Sequence, residues 1–534
     1  MRPTWATGAA VLPLMLAAQE APPAITPGAI VNAASLMPAS LPGGVLPRGG
    51  LFAMFGPRVG VLDGEVIVTI HRDGLSWRAV NVFVSETEVT ARVPVEIPPG
   101  DAAVTVTYRN QTSVPHPIRI ADEAPGILAV RSEPTCSGVS SRLDRRVAVA
   151  DGSTLMPGGT AWIWATGVGA APKIRVGGHR TRVIRLDQDV CVPGLQRIEV
   201  RVPPNTPHGC AVPVLIVGGN AVPIGVAPKN QSCRDPETWL ADLRSEQPVG
   251  FALVLDAHMR LLGKGRTAQD AFIHGAAANF GVVLAPPGKD TKLWPPEGTC
   301  GTWSGISAIG ALLRGEPLGG NTIDLNSIVS TVPRGPTLDI EYPRFEQRDA
   351  GPALTIRGQA GARVIPRHPR YGRFYVDKLG GSDARPFFSP GRYELVGGGG
   401  TDVGPFSLPF EMPAPVDWTN RDRFDEVDRR RPVTLHWRAS SAQSAAMVFA
   451  AGVDSRNGAS TLCICIPGTQ ATSFTVPPEM LANIPASRSE DASFLSQLGV
   501  VAVPRGVPAS ARANGTGGIY VVPLSVSSRS VRYR

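Results

Sequence analysis

Asp256-Ala257-His258, with His274 further along, offers a carboxyl group and two imidazoles to one neighbourhood. Alternate side chains of a strand share a face, so Asp256 and His258 project together if this stretch is extended. Such a set can ligate a metal or pass a proton, but no third ligand stands at a recognisable spacing. Surface polar residues flanking the apolar Leu255 account for the same pattern. Carboxylate pairs that hydrolyse glycosides are matched in space rather than in sequence, so Asp402 and Glu411 stand out no more than other acids. Trp162 and Trp164 alternate with Ile163, which puts both rings on one face of a strand. A sandwich core explains that pair, and so does a flat platform for a sugar or a partner surface. Trp162 and Trp164 are therefore the candidate binding platform.

Cys300-Gly301-Thr302-Trp303 is similar to the papain-type nucleophile signature, in which a histidine activates the thiolate. The second cysteine of that signature is missing, and His258, His274, His368 and His436 sit in no matching context. The chain has seven cysteines, which suits an oxidising compartment and leaves one without a partner. Cys136 with Cys191 and Cys210 with Cys233 are the expected local pairs, and Cys300 can meet Cys463 or Cys465. Cys463-Ile464-Cys465 has a single-residue spacer and no second pair at finger spacing, which argues against zinc. Gly397-Gly398-Gly399-Gly400 fails as a phosphate loop, because Asp402 or Val403 stands where the next glycine is needed and no Gly-Lys-Ser/Thr follows. It reads as a flexible hairpin loop. No catalytic, metal-binding or cofactor-binding residue is assigned, and no cofactor is implied.

These residues need a scaffold, and composition says which kind. The chain is 534 residues long, too long for one ordinary core. Gly 59 and Pro 52 against 18% charged residues favour short strands joined by turns. The net charge of +8 arises from 52 basic and 44 acidic residues spread along the chain, without the concentrated basic stripe that a nucleic-acid reading requires. The densest run, Asp428-Arg429-Arg430-Arg431, follows Asp425 and Glu426 and reads as a solvated, self-neutralising edge.

Ala91-Arg92-Val93-Pro94 returns as Val200-Arg201-Val202-Pro203. At the same spacing Leu46, Gly49, Gly50, Gly60 and Gly100 answer to Leu155, Gly158, Gly159, Gly169 and Gly209, so a whole domain is duplicated. Strands such as Leu51-Phe52-Ala53-Met54-Phe55 and Ala161-Trp162-Ile163-Trp164-Ala165 recur between turn residues at sandwich spacing. The prolines of the motif fall where strands end, and Arg92 and Arg201 point outward.

Val31-Asn32-Ala33-Ala34-Ser35, the strand ending in Phe55-Gly56, and Gly194-Leu195-Gln196 through Val202-Pro203 to Val217-Gly218-Gly219 resemble a domain of secreted Solibacter-type acidobacterial proteins. The family is similar to immunoglobulin-like IPT/TIG modules, and the likeness covers residues 24 to 228. It implies an extracellular β-sandwich with no catalytic residues to carry over. The first copy departs from the pattern at Thr90-Ala91-Arg92 and lacks a Gly-Leu turn before it.

The expected fold is mainly β, with tandem immunoglobulin-like sandwiches followed by a larger β-rich C-terminal region with one or two short helices. Residues 1–20 read as a secretory signal, with an apolar run after Arg2. Residues 24–123 and 124–229 are the two repeats, 235–350 a mixed β-rich region, and 351–534 a C-terminal sandwich region. Asp235-Pro236 starts a helix over 235–244, and Thr267 to Phe280 reads as a second helix broken by Gly275. Phe251–Leu255 and Met259–Gly263 read as the two arms of a hairpin. No stretch reaches the ~18 apolar residues of a membrane span. The functional expectation is a secreted or cell-surface protein with a non-catalytic surface, adhesion or binding role. Its partner would be an extracellular protein or glycan rather than nucleic acid. The alternative is an extracellular hydrolase or carbohydrate-active enzyme with its site in residues 235–534, and it requires acids or histidines to converge there in a deep cleft.

Overall fold

The computed structural model describes residues 22–26, 29–35, 37, 44–56, 58–60, 65–131, 154–189, 192–233, 248–262, 268–284, 295–306, 344–367, 373, 375–381, 386–438, 444–454, 459–468, 470–487, 496–505 and 508–534. The signal-like segment, the helix expected over 235–244, and Cys136 and Cys191 lie outside the described residues. The fold is mainly β, tandem immunoglobulin-like sandwiches followed by a larger β-rich body.

Both repeats have two sheets with the same strand order. In the first, Ile30–Asn32, Leu51–Phe55, Glu88–Arg92 and Val80–Val84 make one sheet. Leu46–Pro47, His116–Ala121, Gly100–Tyr108, Ile67–Arg72 and Leu75–Arg78 make the other. In the second, Gly126–Arg131, Thr160–Thr166, Gln196–Arg201 and Val183–Gln188 face Thr154–Leu155, Ala221–Val226, Gly209–Ile216, Ile174–Val176 and His179–Arg180. Period-two alternation fills the space between sheets, with Phe52, Met54, Val89 and Ala91 meeting Val68, Ile70, Val104 and Val106 in the first copy.

The repeated motif closes the same turn twice. Gly49 N–H donates to Val93 O at 3.0 Å and Val93 N–H to Gly50 O at 2.9 Å, and Arg92 Nε reaches Gly49 O at 2.8 Å. In the second copy Gly158 N–H donates to Val202 O and Val202 N–H to Gly159 O, both at 2.9 Å, and Arg201 Nη1 reaches Gly158 O at 3.1 Å. The arginines thus lie over the Gly-Gly turn at the strand's end, and Gly49 and Gly158 sit in the left-handed region at φ 73° and 76°.

The repeats are interlocked. Ala29, Val31, Leu51, Ala53 and Phe55 of the first pack against Leu128, Trp164, Val192 and Leu195 of the second. Thr166 Oγ1 accepts Leu51 N–H and donates to Gly194 O, both at 2.8 Å. Asn32 Nδ2 donates to Ala124 O at 2.8 Å while its Oδ1 caps Ala34 N–H and Ser35 N–H. All of these polar atoms are satisfied inside the interface, which makes the joint both apolar and specific.

Beyond the repeats, one sheet runs in the order Thr299–Ile306, Ala459–Ile466, Ser444–Val453, Ser496–Pro504, Gly518–Ser530, Val249–Leu262, Ala268–Leu284 and Arg344–Gln347. Val249–Leu262 and Gly518–Ser530 pair in parallel, so segments on both sides of residue 350 share one sheet. Two smaller sheets cover one face of it. Leu354, Ile356, Tyr393, Leu395 and Phe410 pack on Val254, Ala278, Phe280 and Val521. Trp418, Leu435, Trp437 and Val476 pack on Val448, Ala450, Leu498 and Val500.

Two local expectations are overturned. The helix expected from Thr267 to Phe280 is the strand Ala268–Leu284, paired without a break to Val249–Leu262. Ala276, Ala278 and Phe280 are buried at every second position, and this pairing outweighs the helix preference of the alanines. Gly275 marks a register shift against Tyr375–Gly381 rather than a helix break. Phe251–Leu255 and Met259–Leu262 likewise belong to one 14-residue strand, Val249–Leu262, rather than to two arms of a hairpin, and Gly263 lies outside the described residues.

Substitution at the repeated turns should separate backbone strain from packing. Gly158→Ala meets open space and should lose only the left-handed penalty, roughly 1–2 kcal/mol. Gly49→Ala places its Cβ 2.8 Å from Val95 Cγ1 and should lose more. Urea midpoints of the two variants measure the difference, and equal losses would contradict it.

Candidate functional site

Asp256 and His274 are direct cross-strand partners, and Ser525 stands beside Asp256 on the parallel strand. The next rows on the same face are Phe272, His258 and Ser527, then Asp270, Arg260 and Arg529. This polar seam runs between the two apolar layers. The structure thus brings Asp256, His258 and His274 to one face, with His274 on a strand where a helix was expected and buried rather than at the surface, and the geometry decides what they can do.

Ser525 Oγ donates to Asp256 Oδ2 at 3.4 Å, and His274 Nδ1 lies 3.6 Å from Asp256 Oδ1. Phe388 N–H donates to that Nδ1 at 3.4 Å, and Nε2 is a buried atom without a partner among the described residues. In a Ser-His-Asp relay the imidazole stands between hydroxyl and carboxylate. Here the carboxylate stands between, and His274 is only 2% exposed. His258 stacks on Phe272 at 4.5 Å and reaches Asp270 at 3.2 Å. Arg260, Arg421, Arg529, Asp270, Asp422 and Asp425 close the seam as a mutually neutralising ion-pair cluster. The arrangement ties strands together.

Trp162 and Trp164 do share a face, and it is the face turned to the first repeat. Trp164 is fully buried and donates through Nε1 to Asp189 Oδ2 at 3.0 Å. Trp162 is half-buried beneath Arg197, whose guanidinium lies 5.4 Å from its ring. The two rings do not form an open platform together, because Trp164 is sealed against the adjacent repeat and Trp162 is partly covered there and by Arg197.

Cys210 is bonded to Cys233, and Cys300 to Cys465 rather than Cys463, which removes Cys300 as a nucleophile. Cys463 is a buried thiol 3.8 Å from Cys465 Sγ, and burial pushes its pKa up to about 12. Gly397–Gly400 does lie in a hairpin loop, between Gly391–Gly397 and Phe406–Met412. Asp349 pins that loop by accepting Thr401 Oγ1–H at 3.1 Å, while Asp402 Oδ2 accepts Asp349 N–H at 2.7 Å.

The feature missed in the sequence is a cleft of about 590 Å³ between the second repeat and the C-terminal body. One wall carries Lys173, Arg175 and Arg180, the other Arg429, Arg430 and Arg534, with Glu479 the lone acid. The walls are tied together. Arg175 Nη2 and Nε reach Glu479 Oε1 at 2.8 and 2.9 Å, and Asn483 Nδ2 donates to Gly219 O at 3.0 Å. Arg429 is committed to Ile484 O at 2.7 Å and Arg534 to Glu426. Burial and the neighbouring Arg430 hold the Arg429 guanidinium below its ordinary pKa. The side chains of Lys173, Arg180 and Arg430 are exposed and make no hydrogen bond or ion pair among the described residues. Asp428 takes Arg430 N–H and pairs with Arg431, so only part of the 428–431 run neutralises itself. That run was the one available signal, since Lys173 and Arg180 lie far away in sequence.

No protein-family model matches the chain, and no curated protein does. Among solved structures the chain is similar to a putative bacterial DNA-binding protein from Bacteroides vulgatus, at 18% identity over 19% of this chain and 49% of that one, with a TM-score of 0.16. The chain thus spans about half of that structure. It is also similar to a tetra-tandem repeat from the extending region of a large adhesion protein, at 10% identity over 95% and 97% of the two chains, TM-score 0.12. A third likeness is to the protein SGBP-B of a xyloglucan utilization locus in Bacteroides uniformis, at 12% identity over 67% and 86%, TM-score 0.16. At these scores the likenesses carry no argument about ligand or activity. No helix among the described residues is long and apolar enough to cross a membrane.

Two measurements check the assignments. Cys463 should resist alkylation in the folded protein and react only after denaturation, and labelling of Cys463 under native conditions would contradict its burial. Burial lowers the pKa of His274, although Asp256 beside it pulls the other way. The unfolded chain therefore takes up this proton first, so the residue's contribution is complete above about pH 6.5 and is lost as pH falls toward the lowered folded value. Asp256, raised by burial, acts in the opposite sense at lower pH. Melting temperature should drop as pH falls below about 6.5, and His274→Gln should flatten that drop. An unchanged slope would remove His274 as its source.

Proposed function

We propose that the chain is a non-catalytic binding protein, secreted or held at a cell surface, that presents the cleft to an extracellular partner. The observation that carries this reading is the set of three cations without a partner among the described residues, Lys173, Arg180 and Arg430, on walls joined by Arg175, Glu479 and Asn483. A concave surface with a few convergent polar groups is the usual form of a binding site. The resemblance of residues 24–228 to a secreted acidobacterial domain fits the same setting and adds no catalytic group. An extracellular hydrolase with its site in 235–534 is the less favoured reading, because the acids and histidines that meet in the seam are consumed by one another.

The full chain incubated with a panel of soluble polysaccharides should retain one or more of them in affinity electrophoresis without releasing reducing ends. Depolymerisation that disappears in Asp256→Asn would overturn the binding reading in favour of the hydrolase.

A further inference from the structure

We infer that the cleft between the second repeat and the C-terminal body is a site for an acidic saccharide, one whose carboxylate or sulfate groups are met by Lys173, Arg180 and Arg430. This rests on the binding role proposed above and names the ligand class. The three cations come from two separately folded units, Lys173 and Arg180 flanking or ending strands of the second repeat and Arg430 from the segment after Glu426–Val427 of the body. Like charges brought together across a joint repel one another. The nearby acid does not relieve them, since Glu479 Oε1 is already taken by Arg175. Arg429, held by a backbone carbonyl, adds positive charge behind the three groups, whereas Arg534 is paired with Glu426. A cleft lined by one sign of charge between low-dielectric walls concentrates counter-ions of the other sign.

The rest of the lining selects among anions. None of the lining residues is aromatic, so there is no ring on which a base or a neutral sugar face could stack. Ile174, the largest apolar lining residue, is buried in the repeat's own core and offers no pocket for a peptide side chain. Ile174–Val176 has strands on both sides, and the sheet ends at His179–Arg180, a two-residue edge that offers little backbone for peptide addition. Charge without stacking, apolar anchors or strand addition fits a hydrophilic, flexible polyanion, and for an extracellular binding protein that is an acidic saccharide.

The test uses the full chain in affinity electrophoresis against polygalacturonate, dextran sulfate, unmodified dextran, poly-glutamate and single-stranded polynucleotide. Polygalacturonate, dextran sulfate or both should retard the protein, with retardation falling as salt rises, and unmodified dextran should not. The triple variant Lys173→Glu, Arg180→Glu, Arg430→Glu should lose about tenfold or more of that affinity. A charge-matched control at exposed positions away from the cleft, Arg119→Glu, Arg392→Glu, Arg512→Glu, should keep it. The cleft substitutions break no bond that holds the walls, and matching melting temperatures confirm intact folding. Retardation by carboxylate alone or by sulfate alone supports the inference and identifies the group. Equal losses in the two triple variants would overturn it, as would cleft-dependent binding of poly-glutamate or polynucleotide with no saccharide bound. Binding of unmodified dextran alone would overturn the acidic ligand while leaving the binding role standing. Release of reducing ends would overturn that role itself.

Discussion

The Thr160–Thr166 strand has no free face, and the arrangement of the whole chain follows from this constraint. Ala161, Ile163 and Ala165 point into the second sandwich, while Trp162, Trp164 and Thr166 point at the first. Leaving Trp164 uncovered would expose one of the largest apolar side chains in the protein, so the second repeat must be capped by the first. Its other sheet is engaged as well, because Leu215 joins the body's core and Arg175 reaches Glu479. The second repeat is thus packed on both sides. The position of Lys173 and Arg180 opposite Arg430 is therefore set by packing.

The same strand shows what a sequence can and cannot convey. Apolar residues at every position of Ala161–Ala165 identify a strand buried on both faces, but they do not say what covers the second face, so a platform and an interface look alike. The duplication was legible because its turns need particular residues: Gly49 and Gly158 supply left-handed backbone, and Val93-Pro94 and Val202-Pro203 end strands at the same hydrogen bonds. The strand Ala268–Leu284 was not legible, since alanine-rich segments favour helix locally and only the pairing with Val249–Leu262 makes them extended. That sheet is completed by Gly518–Ser530, a contact across most of the C-terminal half that leaves no local trace. Composition misled in one further respect. Cations spread evenly along the sequence do gather in space, because the cleft draws Lys173, Arg180 and Arg430 from separate modules.

Converging acids and histidines usually suggest chemistry, and the seam shows how packing produces the same convergence. Two cover sheets share one face of a broad sheet, and where they part, the strands beneath cannot be apolar without exposing a hydrophobic stripe. Asp256, His258 and Arg260 fill that gap on one strand, with Ser525, Ser527 and Arg529 beside them. Neutralisation by Asp270, Asp422 and Asp425 follows from burial, since Arg529 is only 4% exposed and an unpaired guanidinium there would be costly. The inference from titratable groups to function therefore depends on whether those groups are spent.

That criterion separates the seam from the cleft. In the seam each charged side chain has an opposite partner and His274 is sealed from solvent, so charge there stabilises the fold at its own position. In the cleft the cations outnumber the acids, and the one acid is held through Oε1 by Nε and Nη2 of Arg175. Lys173, Arg180 and Arg430 make no ion pair among the described residues, and like charges on facing walls repel one another. An anion entering between them would remove that repulsion and form charge-assisted hydrogen bonds at once. Binding would therefore strengthen the same joint that forms the site, coupling occupancy to the stability of the connection between the second repeat and the body.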